Sequence, residues 1–119
     1  MADKVLLVVD DEPAMRKVLE RLLGKAFDQI LTAADPVEAD DKIAANPVTH
    51  LVTDCNLGPG LPLGIDLVAG WRERCPTIER AVVFSGTDLS DKEVPGEVDA
   101  VLHLTANFDD LLDALAVER

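Results

Sequence analysis

The stretch that decides the fold is Val5-Leu6-Leu7-Val8-Val9-Asp10-Asp11-Glu12-Pro13. Five consecutive apolar residues, three of them β-branched, read as a strand covered on both faces, as in a parallel sheet. Two aspartates then end the run abruptly. Pro13 follows, suited to the first position of a helix, with Asp11 or Glu12 as the expected cap. Met15, Val18, Leu19, Leu22, Leu23 and Ala26 recur at steps of three and four, which marks one apolar helix face.

The same alternation continues along the chain. Gln29 to Ala33 reads as a second strand. A second helix is expected between Asp35-Pro36 and Asn46-Pro47, and His50 to Thr53 reads as a third strand. A loop rich in glycine and proline, Asn56 to Gly64, leads to a third helix from about Ile65 to Arg74, with Leu67, Val68 and Trp71 inward. Ala81 to Phe84 and Ala100 to Leu104 read as the fourth and fifth strands. Between them Pro95-Gly96 cuts any helix short. Phe108, Leu111, Leu112 and Leu115 mark a last helix, with Asp109 and Asp110 in its first turn, where the helix dipole favours them. Strands alternating with helices predict an α/β fold, a doubly wound parallel sheet with helices on both faces. In such sheets ligands sit beyond the carboxyl ends of the strands.

With 119 residues the chain has the size of a single domain over residues 1–119. Its 23 acidic and 11 basic side chains give a formal charge of −12, which disfavours nucleic acid and anionic membranes as partners, because both bind through Lys and Arg. The longest apolar run is far too short to span a bilayer, and Met1-Ala2-Asp3-Lys4 does not open a signal peptide, so a cytoplasmic location is expected. Cys55 and Cys75 show no metal-ligand spacing; Cys75 reads as a small hydrophobe ending a helix and Cys55 as a strand-end residue, while His50 and Trp71 read as packing side chains.

Asp10 and Asp11 follow the first strand, Asp54 the third, and Ser85-Gly86 the fourth. If the first and third strands are neighbours, three carboxylates meet in one pocket. Two unit charges about 4 Å apart repel by roughly 4 kcal/mol at an effective dielectric near 20. A shared proton, a lysine or a hard divalent cation would relieve that repulsion, and Mg²⁺ suits an all-oxygen site. One carboxylate could then accept a phosphoryl group, with Ser85 hydrogen-bonding it on arrival.

These residues resemble the receiver domain of two-component response regulators. Its carriers are Val8-Val9-Asp10-Asp11-Glu12-Pro13, Leu51-Val52-Thr53-Asp54, Val82-Val83-Phe84-Ser85-Gly86 and Phe108-Asp109-Asp110-Leu111-Leu112. The resemblance implies strand order 2-1-3-4-5 and a flavodoxin-like fold. It implies Asp54 as the phosphoacceptor, served by a histidine kinase or phosphotransfer protein. Asp11 would bind Mg²⁺ directly and Asp10 through water, with the Asn56 backbone carbonyl completing the set. Ser85, with the small Gly86 beside it, would sense the phosphoryl group, and signalling would pass to a downstream protein through protein contacts. At most, self-phosphorylation and slow self-dephosphorylation would count as catalysis.

Three departures stand out. Leu104 occupies the position of the family's lysine, and His103 beside it is expected on the opposite sheet face. Val101 stands where the family has a switching aromatic. The loop after Asp54 is longer than the family's usual turn. The alternative reading is a pseudo-receiver, an interaction module that works without phosphorylation. A nucleotide-binding enzyme is disfavoured, because no Gly-rich loop follows the first strand.

Overall fold

The computed structural model describes residues 3–86, 93–103 and 108–116. Strands β1 (Val5–Val9), β2 (Gln29–Ala33), β3 (His50–Asp54), β4 (Arg80–Ser85) and β5 (Ala100–His103) alternate with helices α1 (Pro13–Leu23), α2 (Pro36–Ala45) and α3 (Gly64–Arg74), and α4 (Phe108–Ala114) closes the series. All strand pairs are parallel, in the order β2-β1-β3-β4-β5. The predicted fold class and strand order are both observed.

Strand alternation divides the core into two layers. Val5, Leu7 and Val9 point into a cluster with Ala39 and Ile43 of α2 and Ile65, Val68 and Trp71 of α3. Leu6 and Val8 point the other way, against Leu19 and Leu23 of α1 and Leu111 and Leu112 of α4. An uninterrupted apolar strand is what burial on both faces demands. The Trp71 indole is fully buried, and its Nε1 donates to Asp40 Oδ1 at 2.8 Å. That bond satisfies the ring's one polar atom.

One expectation about α1 holds in position, and one needs correction. Glu12 occupies the cap position in an extended conformation, but its side chain makes no capping bond. Instead, its N–H donates to Asp10 Oδ1 at 2.9 Å. The expected apolar face is also wider than the buried one, since Val18 and Leu22 remain 48% and 45% exposed. At about 100° per residue, Val18 and Leu22 lie towards the edge of the stripe farthest from Leu23. The helix rests on its Leu19–Leu23 side, with Met15 and Ala26 partly covered. By contrast, α2 starts as predicted, with the Asp35 carboxylate accepting the Glu38 N–H at 2.8 Å.

Between β4 and β5, residues 93–99 form turns without a helix, and residues 87–92 lie outside the described residues. Asp99 organises the start of β5. Its carboxylate meets Arg72 at 2.8 Å, accepts the Ala81 N–H at 2.8 Å and lies 3.7 Å from Arg80. Arg80 in turn donates through Nε and Nη2 to the Ala114 carbonyl at the end of α4. This satisfies a terminal carbonyl that the helix leaves without an internal partner.

His50 packs at the opposite end of the sheet from the aspartates. Its ring meets Phe27 edge-on at 5.1 Å, and Nδ1 lies 2.8 Å from Thr49 Oγ1. Burial is the main cause that lowers its pKa below the usual 6.5. The unfolded chain therefore takes a proton more readily than the folded one near that value. The resulting stability is complete above about pH 6.5 and declines as pH falls through it. As pH falls from 8 to 5 the parent should lose stability relative to a His50→Gln variant, read as the difference between their two denaturation curves.

Candidate functional site

The site forms because β1 and β3 are neighbours in register, Val9 beside Thr53. Each strand delivers its next residue to the same edge of the sheet. Asp10, Asp11 and Asp54 each offer a carboxylate oxygen, and these three atoms lie within 4.8 Å of one another. Asp10 is buried, Asp54 half-buried and Asp11 exposed. The cup thus has a closed base and an open rim.

Its electrostatics follow from that shape. Burial pushes Asp54 up to about 6, and the charges of Asp10 and Asp11 add to the effect, while N–H bonds from Asn56 and Cys55 oppose it. Burial also raises Asp10, partly offset by the bond from the Glu12 N–H and by the charge of Arg16. Carboxylates crowded together and short of water hold protons more tightly, or take up a cation instead. Oxygens bound to one Mg²⁺ sit about 2.0–2.1 Å from it and water fills the remaining places. A hard donor set of this span fits that ion, with direct and water-mediated ligands combined.

Ser85 ends β4 and is 2% exposed, and Gly86 beyond it is exposed. The β4 residue level with Asp54 is Phe84, so Ser85 stands one step further towards the strand ends. Asn56 turns the chain after Cys55, its side-chain Oδ1 accepting the Gly58 N–H at 3.1 Å. Val101 pairs with Val83 and packs half-buried against the α2 and α3 layer. His103 is exposed and level with Ser85. Leu104 lies outside the described residues.

Three contributors escaped the sequence reading. Thr53 is fully buried, and its hydroxyl donates to the Asp54 carbonyl at 2.9 Å. Gly64, the first residue of α3, lies so close to β3 that a β-carbon there would collide with the Asp54 carbonyl oxygen. Its N–H donates to the Cys55 carbonyl at 2.6 Å, which closes the long loop at its base. Arg16 donates through Nη1 to the Asp10 carbonyl at 2.7 Å. The available signal was a glycine heading a helix that has no side-chain cap.

No family model matches the chain. Over 91 residues it is 35% identical to the chemotaxis protein CheY1 of Helicobacter pylori, covering 75% of this chain and 72% of that protein. The chain belongs to the response regulator receiver family. This receiver is also 37% identical over 93 residues to the hydrogenase transcriptional regulatory protein HoxA of Cupriavidus necator, matching 76% of this chain but spanning only 19% of that relative. A response regulator from Burkholderia pseudomallei, solved with a phosphorylated aspartic acid, a calcium ion and citrate, superposes with a TM-score of 0.78 at 26% identity. That superposition covers 95% of the receiver and 66% of the solved chain. Among the described residues, no helix is long and apolar enough to cross a membrane.

Proposed function

We propose that residues 1–119 form one receiver unit that accepts a phosphoryl group on Asp54 and signals through contacts with another protein. The observation that supports this most is the meeting of Asp10, Asp11 and Asp54, from two separate segments, within 4.8 Å at the carboxyl ends of adjacent strands. Asp10, Asp11, Asp54 and the Asn56 carbonyl would hold Mg²⁺. Bound there, the ion would supply positive charge to the phosphoryl oxygens during transfer.

With a pKa of about 6, Asp54 is ionised at neutral pH yet more basic than an ordinary aspartate. A carboxylate oxygen attacks the donor phosphorus. The new O–P bond replaces the P–N bond to a donor histidine, and the imidazole keeps the electron pair and takes up a proton. Hydrolysis by water later returns the carboxylate and inorganic phosphate. Thr53 and Gly64 hold the acceptor's backbone from either side. In this reading the Ser85 hydroxyl, one step past the β4 residue level with Asp54, would hydrogen-bond a phosphoryl oxygen, and the absence of a side chain at Gly86 would leave room for it.

The donor in this reading is a histidine kinase or phosphotransfer protein, and the receiving partner is a protein. A formal charge of −12 argues against direct nucleic-acid contact. Incubation with Mg²⁺ and a small phosphodonor should add one phosphoryl group to the parent protein, read by intact mass. Asp54→Asn should abolish that gain. A parent protein that gains no mass, or an Asp54→Asn variant that gains as much, overturns the reading.

A further inference from the structure

The chain carries 11 basic side chains against 23 acidic ones, and the fold uses several of the cations internally. Arg72, Arg74 and Arg80 each lie against an aspartate. Lys17 and Arg21, both exposed on α1, are in no ion pair among the described residues. Beside them run Val18 and Leu22, also exposed. Residues four apart stack along a helix, so α1 presents a row of two cations next to a row of two apolar side chains. At about 100° per residue, Glu20 falls on the other side of the helix from Val18 and Leu22. Lys17, Val18, Arg21 and Leu22 together line a hollow of about 250 Å³.

The outer face of α2 has the reverse character. Val37 is 71% exposed, more than any other large apolar side chain among the described residues. Glu38 and Asp41 stand beside it, exposed and in no ion pair among the described residues. Ala44 and Ala45, also exposed, continue this face with side chains small enough for another helix to come close. Asp40, on the flank, is already held by Trp71 and Arg74. Ala39 and Ile43 seat α2 on one side of the sheet, and Leu19 and Leu23 seat α1 on the other. The two complementary surfaces therefore cannot meet within one molecule.

We propose that a second copy of this chain is the partner for both faces: Val37 of one copy seats in the α1 hollow of the next, with Glu38 and Asp41 against Lys17 and Arg21. A side-chain knob entering a hole bounded by four residues is how packed helices interlock, and the opposed charges fix which face meets which. The contact joins two different surfaces, so an assembly of any length still presents a free α1 at one end and a free α2 at the other, and growth continues past a pair. A single helix pair buries less than about 1,200 Å², and each copy carries a formal charge of −12, so the association is weak and concentration-dependent. It requires neither Mg²⁺ nor a phosphoryl group and stands apart from the reading of Asp54.

Light scattering on the full chain at fixed ionic strength, from about 10 µM to about 1 mM, brackets the affinity of so small a contact. The mean mass should climb with concentration and pass that of two chains. Arg21→Glu sets like charge against Glu38 and Asp41, and Val37→Asp removes the knob. Both positions are exposed, so neither change disturbs the core, and each should weaken association at least tenfold. Mixed in equal amounts, the two variants should pair and stop at two chains, because each contributes its one intact face. A parent that keeps the mass of one chain throughout, a parent that levels off at two, variants that associate like the parent, or a mixture that stays unpaired overturns the proposal.

Discussion

Gly64→Ala is expected to lower stability by about 2–4 kcal/mol and slow phosphorylation by about a hundredfold. Both effects come from one methyl group. The new β-carbon would overlap the Asp54 carbonyl oxygen and come within 2.8 Å of Thr53 Oγ1. The first obstacle is backbone at the end of a central strand, so no side chain can swing aside. Either α3 or the end of β3 must move by roughly 1 Å, and overpacking of this kind costs a few kcal/mol. A displacement of that size at a reacting group can cost about 10²-fold in rate. Gly70 provides the contrast within the same helix. A β-carbon there meets only the Arg74 guanidinium at 3.7 Å, so Gly70→Ala should stabilise by about 0.5–1 kcal/mol through helix propensity. Urea denaturation of both variants, with phosphoryl uptake followed by intact mass, checks the opposite signs. A Gly64→Ala protein as stable and as reactive as the parent would show that β3 and α3 are not in this contact.

That contact also marks where sequence reading stops. The strands were legible because burial on both faces leaves a compositional mark, as in Val5–Val9. The start of α2 was legible because Asp35 and Pro36 each do one local job at a helix end. The three aspartates were legible because parallel topology gathers residues that follow strands at one edge. The Thr53–Asp54–Gly64 knot depends instead on how closely a helix start approaches a strand end, and no periodicity reports a distance between backbones. Arg16 was hidden for a related reason. A basic residue near the start of a helix looks like any solvated side chain until its guanidinium is seen on the Asp10 carbonyl. The exposure of Val18 and Leu22 shows the converse limit. Apolar periodicity indicates which side of a helix faces inward, but the width of the covered stripe is set by the neighbours.

The acidic cup predicts an inversion that ordinary acid stability does not show. Asp54 titrates near 6 in the folded protein, against 3.8 for an unperturbed aspartate. Between those values the folded chain binds more protons than the unfolded one, so metal-free stability falls as pH rises from about 4 to 6. The upward shift of Asp10 acts in the same direction. Two pKa units correspond to about 3 kcal/mol at most, and solvent screening of a half-exposed group reduces the Asp54 share to about 1–2 kcal/mol. Asp54→Asn removes the charge with little change of shape. In the presence of a chelator at pH 7.5 the variant should therefore be the more stable protein by that amount, and the advantage should vanish near pH 4. Saturating Mg²⁺ should reverse the ranking, because the parent gains binding free energy that the variant gains only weakly. Denaturation of both proteins from pH 4 to 8, with and without Mg²⁺, tests the sign directly. If the two metal-free curves run parallel across that range, Asp54 does not share its site with like charges, and the repulsion that makes the cup a cation site is absent.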